Sequence, residues 1–204
     1  MTISLSRNKL KKSFYQRDLL VVAKNLLGKT IVKHEQKIKL AGKIVEVEAY
    51  HGDNDEAAHS FKGITNRNKI MFDEGGYLYV YFTYGVHFCS NVVTGKKGQG
   101  TAVLIRAVEP IVGVDIMIKN RFGRKLKNEK EIYNLTSGPG KFCKAFGINR
   151  LHSGIDLTGE KIFILDGEKI NRNEIGISRR IGITKSVDLP WRFYIKNNPY
   201  LSRK

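Results

Sequence analysis

Cysteine is scarce in this chain. Cys89 and Cys143 are the only two, too few for a disulfide framework or a zinc cluster. No apolar run approaches the ~20 residues that span a bilayer, and Met1-Thr-Ile-Ser-Leu-Ser-Arg-Asn-Lys9 lacks the apolar stretch of a secretory signal. These absences predict a reduced, soluble, cytoplasmic protein with no membrane partner. Acid is the other shortage: Asp and Glu number 19 against 36 Lys and Arg, a formal charge of +17 in 204 residues. What is present, 41% hydrophobic and 10% aromatic residues, excludes a disordered chain and suffices for one buried core. Charge of this sign concentrates polyanions. Nucleic acid leads among them, because each phosphate neutralised by Lys or Arg releases counterions.

The few acids are bunched. Residues 46–74 hold Glu46, Glu48, Asp53, Asp55, Glu56, Asp73 and Glu74 against only Lys62, Arg67 and Lys69. Bases crowd residues 119–130 and recur at Arg172, Arg179, Arg180, Lys185 and Arg192. A general preference for lysine would not leave such an acidic island, which reads as carboxylates kept for chemistry or for a metal.

No repeat, linker or low-complexity stretch interrupts the chain, which predicts a single domain over residues 1–204, with 1–13 as a flexible basic arm. Residues 18–27 carry the apolar spacing of a helix stopped by Gly28. Residues 29–32 and 41–50 read as strands, the second with Ile44, Glu46, Glu48 and Tyr50 on one face and Val45, Val47 and Ala49 on the other. Residues 77–93, rich in aromatic and β-branched types, read as a hairpin broken at Thr83-Tyr84-Gly85. Another strand is expected at 101–108. Pro110 is placed to open a helix, and Ser137-Gly-Pro-Gly-Lys141 leads into a second one through Phe146. Strands near 161–166, 175–184 and 191–195 complete an α+β fold around a largely antiparallel sheet with flanking helices.

Several constellations could carry chemistry. Glu48, on a strand face beside Tyr50 and followed by a polar loop ending in His59, could act as a general base. The plainer reading of such a residue is an exposed strand carboxylate paired with a lysine. Asp53-Asn-Asp-Glu56 opens like a calcium loop, but Ala58 stands where the loop needs glycine, and His51 and His59 fit no zinc spacing. No metal is expected from these spacings. Tyr77, Tyr79 and Tyr81 alternate onto one face, either as an ordinary sheet ladder or as platforms for an extruded base. Tyr84, between Thr83 and Gly85 at a turn, is badly placed for a core and well placed as a wedge between base steps. Ser137-Gly-Pro-Gly-Lys141 lacks the Walker spacing and serves equally as a capping turn or a phosphate seat. Both cysteines lie in apolar strings, which predicts buried, inert thiols.

Taken in order, Glu46-Val-Glu-Ala-Tyr50, Asp55-Glu-Ala-Ala-His-Ser60, Arg67-Asn-x-x-Met-Phe72, Tyr79-Val-Tyr81, Tyr84-Gly85, Asn91, Val103-Leu-Ile-Arg-Ala-Val-Glu-Pro110, Ser137-Gly-Pro-Gly-Lys141, Arg180-Ile-Gly-Ile183 and Pro190-Trp-Arg-Phe193 resemble the alkyladenine (3-methyladenine) DNA glycosylases. The likeness runs from about Phe14 to Ser202. It implies a single compact α+β domain around a curved antiparallel sheet, monomeric and needing no cofactor. The implied partner is double-stranded DNA containing damaged purines, met at the nucleoid of a bacterial-type cytoplasm. The implied reaction is monofunctional hydrolysis of the N-glycosidic bond of an alkylated or deaminated purine, leaving an abasic site.

Carried over residue by residue, Glu48 resembles the base that activates water, and Arg106 the residue that helps hold that water and the adjoining phosphate. Tyr50 and Tyr81 resemble the stacking walls of the base pocket, with His59 between them. Asn91 resembles the residue that crowds a guanine 2-amino group, and Tyr84 the wedge that fills the gap in the duplex. Val86, His87, Arg179 and Lys96-Lys97 depart from the pattern of many relatives, which bears on substrate range. Two rivals stand beside this reading. A lysine-dependent glycosylase/lyase is disfavoured because no lysine shares the strand face of Glu48. A non-catalytic nucleic-acid-binding module would have no use for the acidic island.

Overall fold

The computed structural model describes residues 8–203. Two short helices, α1 (Lys12–Tyr15) and α2 (Leu19–Leu26), open it. Asp18 caps α2, its carboxylate accepting from the Leu20 and Val21 amides at 2.9 and 3.1 Å. The helix turns Leu19, Val22, Ala23 and Leu26 inward. Then follow β1 (Thr30–Glu35), β2 (Ile38–Tyr50), the hairpin β3 (Leu78–Thr83) and β4 (His87–Thr94), and the long β5 (Thr101–Val112). Helices α3 (Val114–Phe122) and α4 (Pro139–Phe146) precede three short strands, β6 (Ile162–Leu165), β7 (Ile175–Ser178) and β8 (Arg192–Ile195).

The strands form one curled antiparallel sheet in the order β3-β4-β5-β2-β1-β6. Strand β2 is its spine. One edge of β2 pairs with β5, while the other pairs with β1 through residues 38–43 and with β8 through Glu46, Glu48 and the residue between. β7 extends the sheet from β8. Helices α2 and α4 cover one face, where Val22, Leu26, Phe142 and Phe146 meet Val47, Ala49, Val103 and Ile105 in the main apolar core. The architecture is thus a single α+β domain, as the strand pattern predicts. No helix among the described residues is long and apolar enough to cross a membrane.

Four expectations are corrected. Ile44 does not share a face with Glu46 and Glu48. It belongs to the core with Val47 and Ala49, because Val45 is an extra residue in β2 and shifts the register between Ile44 and Glu46. Strand β5 carries a matching irregularity, with Val103, Ile105 and then Val108 facing the core. An extra residue in each strand re-aims the side chains around it and increases the twist.

Pro110 does not open a helix; it lies in β5 opposite Gly42, where β4 no longer flanks β5, so its missing N–H breaks no ladder bond on that side. Helix α3 starts instead after Gly113, whose φ of 76° and contact with Leu40 leave no room for a side chain. The strand expected at 175–184 ends at Ser178. Of the expected arm at 1–13, residues 1–7 lie outside the described residues. The remainder is not an arm: Lys9 bridges Leu165, and Leu10 is buried, its amide donating to the Ile164 carbonyl at 2.8 Å.

Candidate active site

The face of β2 turned away from the helices carries Glu46, Glu48 and Tyr50 in succession, and β5 adds Leu104 and Arg106 beside them. Above them opens a cavity of about 340 Å³. Tyr50, His59, Tyr79, Tyr81, Tyr84, Asn91 and Arg106 all line it, so every site residue expected from the sequence is brought together there except Glu48 itself. Glu48 lies just beneath the floor, fully buried, and the three residues that hold its carboxylate do line the cavity. Its Oε2 accepts from the Tyr50 hydroxyl at 2.9 Å and from Arg106 Nη1 at 3.0 Å, and its Oε1 accepts from the Ile181 amide at 2.7 Å. A carboxylate offers about four acceptor sites, so one is left, on Oε1. The plainer sequence reading of Glu48, exposed and paired with a lysine, is excluded.

The walls are aromatic. Tyr79 and Tyr81 alternate inward from β3 with ring centroids 5.5 Å apart, and His59 meets Tyr81 edge-on at 4.4 Å. The His59 ring is held by a 3.1 Å hydrogen bond between Nδ1 and the Tyr79 hydroxyl, and its carbonyl accepts from Asn68 Nδ2 at 2.8 Å. Burial, with Arg67 nearby, pushes the His59 pKa down to about 4, so the ring is neutral at pH 7. Burial also drives the Tyr81 hydroxyl upward, and burial beside the Glu48 carboxylate does the same for Tyr50; both remain protonated donors. Asn91, across β3–β4 from Tyr79, donates Nδ2 to the Tyr79 carbonyl at 3.3 Å. Cys89 is buried as expected, though it lines the cavity; burial raises its pKa to about 11, which keeps it a thiol.

At the rim the β3–β4 turn closes with the Val86 amide donating to the Thr83 carbonyl at 3.3 Å. Tyr84 and Gly85 have φ of 52° and 67°, the positive pair that tight hairpin turns require. The Tyr84 side chain is 81% exposed, and Val86 and Phe82 stand exposed with it. A tyrosine held in a left-handed conformation with its ring in solvent is costly for folding alone. Helix α4 approaches from the side, with Pro139 lining the cavity and Gly140 making room for the His87 ring.

Sequence reasoning missed the second layer. Arg180 and Arg192 count there as parts of a basic surface, yet both are buried and face the acidic island. Arg192 Nε donates to Glu46 Oε1 at 2.7 Å. Arg180 makes a two-pronged bond to Asp55, Nη1 to Oδ2 and Nη2 to Oδ1 at 2.7 Å, and lays its guanidinium 4.6 Å over the Tyr50 ring. Ser202 brings its amide and hydroxyl to Glu46 at 2.6 and 2.8 Å. The only sequence signal for these partners is that Arg180-Ile-Gly-Ile183 and Pro190-Trp-Arg-Phe193 lie among the family-like strings.

The model of the family described as methylpurine-DNA glycosylase (MPG) matches residues 13–199. Proteins named "Putative 3-methyladenine DNA glycosylase" are similar over their whole length. The one from Alkaliphilus oremlandii is 48% identical over 202 residues, covering 96% of this chain and 100% of that protein. Those from Carboxydothermus hydrogenoformans and Clostridium novyi are 50% and 49% identical, each covering 96% of this chain and 99% of the relative. With a family match that takes in both aromatic walls, the hairpin tip and the buried carboxylate, the chain belongs to the methylpurine-DNA glycosylase family.

Proposed function

We propose that the chain is a 3-methyladenine-type DNA glycosylase of base excision repair, which flips an alkylated or deaminated purine into the cavity and hydrolyses its N-glycosidic bond. The observation that carries this reading is Glu48, a fully buried carboxylate with one acceptor site unfilled, held by Arg106 and Tyr50 under an aromatic-walled cavity. A base inside the stack is out of reach, so it must be extruded at a cost of a few kcal/mol, least for a damaged pair. Tyr50 on one side and Tyr81 with His59 on the other are the stacking surfaces. A cationic alkylated purine gains roughly 0.5–2 kcal/mol over such faces, and a neutral His59 adds no opposing charge.

The water sits at the free site of Glu48 Oε1. As the C1′–N bond breaks, its electron pair leaves with the base and the sugar becomes cationic. The water oxygen bonds to C1′, and Glu48 takes the water proton. The Glu48 charge also favours the developing cation. The cavity is lined by no lysine among the described residues, which supports water rather than an amine as nucleophile.

Base release from duplexes bearing single 3-methyladenine, 7-methylguanine, ethenoadenine or hypoxanthine residues tests this. Free base and an abasic strand are expected from at least the alkylated substrates, with no adduct trapped by borohydride. Equal affinity for damaged and intact duplex with no base released would instead leave a simple nucleic-acid-binding module.

Tyr84 serves as the wedge in this reading. Replacing it by glycine relieves a left-handed residue worth about 1–2 kcal/mol yet removes the ring. Thermal denaturation should therefore show an equal or higher Tm for Tyr84→Gly, while affinity for an abasic-analogue duplex falls by about tenfold. Loss of stability together with unchanged affinity would remove Tyr84 from that role.

A further inference from the structure

Arg106 reaches Glu48 from an irregular point in β5, where the pleat does not by itself fix the direction of a side chain. Its direction is fixed from the side. Its Nε donates to Ser202 Oγ at 3.3 Å and lies 3.5 Å from Glu46 Oε1, while Nη1 meets Glu48 Oε2 at 3.0 Å and the Ile181 carbonyl at 3.5 Å. Glu46 in turn is fully buried and accepts three hydrogen bonds: from Arg192 Nε at 2.7 Å, the Ser202 amide at 2.6 Å and the Ser202 hydroxyl at 2.8 Å. Arg192 is itself held, donating to Ser178 Oγ at 3.0 Å and to the Arg203 carbonyl at 2.9 Å.

Charge alone does not require this arrangement. Glu48 is already balanced by Arg106, and the added Glu46–Arg192 pair is neutral. Nor does stability require it, since a buried ion pair commonly contributes no more than well-packed apolar groups of the same volume. What the added pair supplies is direction: it presents a fixed acceptor edge to the Nε side of Arg106 while Glu48 takes the Nη1 side.

We propose that Glu46, with Arg192 and Ser202, is a positioning unit for the reaction, fixing the Arg106 guanidinium against Glu48 so that it acts on the chemical step and not on lesion binding. The proposal rests on the reading of Glu48 and Arg106 as the reacting machinery. Misplacement of a catalytic group by even about 1 Å can cost on the order of 100-fold in rate. Glu46→Gln, which keeps the volume but gives up one acceptor oxygen, should slow single-turnover base release by about 10–100-fold. The Kd for an abasic-analogue duplex should change by less than about twofold.

A double-mutant cycle with Arg106→Ala separates positioning from general support of the fold. In the Arg106→Ala background Glu46→Gln should cost less than about twofold, because nothing remains to be positioned. The same loss in both backgrounds would overturn the proposal. Should Glu46→Gln lower the Tm too far for assay, Ser202 provides the second variant, since it is only partly buried. Ser202→Ala removes the hydroxyl shared by Arg106 and Glu46 and should lower the rate, and Ser202→Thr should restore it; equal rates for all three chains would also overturn the unit. If the unaltered chain releases no base from methylated DNA, the underlying reading fails. If it does and the cycle is additive, the positioning unit alone fails.

Discussion

Glu48→Gln is expected to slow the release of 3-methyladenine from methylated duplex by about 10²–10⁴-fold, the usual span for loss of a positioned general base. Lesion binding should survive, because the walls and the wedge belong to other residues. The substitution is not structurally silent. Glu48 accepts three hydrogen bonds through two oxygens, two at Oε2 and one at Oε1. A glutamine whose oxygen stays with Tyr50 and Arg106 turns its NH₂ toward the Ile181 amide, donor against donor. A fall in stability of about 1–3 kcal/mol from that clash is expected, so rates must be compared at a temperature where both chains are folded. Gel-shift affinity for an abasic-analogue duplex and single-turnover release then separate binding from chemistry. Release at the unaltered rate by the glutamine variant would end the assignment of Glu48 as the base.

Asp55→Ala should produce the largest loss of stability. Both side chains of the Asp55–Arg180 pair are fully buried. Asp55 also accepts from the His51 and Ala57 amides at 3.3 and 3.1 Å, while Arg180 donates to the Ala49 and Ser186 carbonyls at 2.9 and 3.2 Å. The pair thus ties the loop after β2 to the loop before β8, with Tyr50 under the guanidinium. Removing one partner strands the other charge in a dry site, at a cost of about 3–5 kcal/mol. For a chain of this size that corresponds to a Tm lower by roughly 6–20 °C. The nearby surface pair Lys185–Glu56, both more than half exposed, gives the contrast: Glu56→Ala should cost less than about 1 kcal/mol. Thermal denaturation of the two variants side by side decides. A drop of under about 2 °C for Asp55→Ala would mean that the site is hydrated and the pair weak.

The hairpin, the exposed tyrosine at its tip and the helix after Ser137-Gly-Pro-Gly were legible because each rests on local chemistry: alternation, a turn residue, a cap. The gathering of Tyr50, His59, Tyr81, Asn91 and Arg106 was legible only through the family-like strings, since these residues come from different strands and a loop. The extra residue in β2 was not legible. Ile44-Val-Glu-Val-Glu48 alternates without a flaw on paper, and only pairing with β5 exposes Val45 as unmatched. The partners of the acidic island were misread for a related reason. Arg180 and Arg192 look like any other base in a chain of net charge +17, and burial is a property of their neighbours rather than of their spacing. The island itself, read as carboxylates kept for chemistry, proved more internal than expected, with Glu46, Glu48 and Asp55 each met by a buried arginine.

The paired irregularities in β2 and β5 constrain how this chain can change length. Deleting Val45 alone would leave the faces as they are, Ile44, Val47 and Ala49 toward the helices and Glu46, Glu48 and Tyr50 toward the cavity, because Val45 is the residue outside the alternation. Deleting Val47 instead, beyond the irregularity, would turn Glu48 and Tyr50 toward the apolar helices and swing Ala49 out under the cavity, since side chains alternate by one residue. The place of a length change thus decides its effect: at Val45 the core and the carboxylate keep their faces, and two residues later they exchange them.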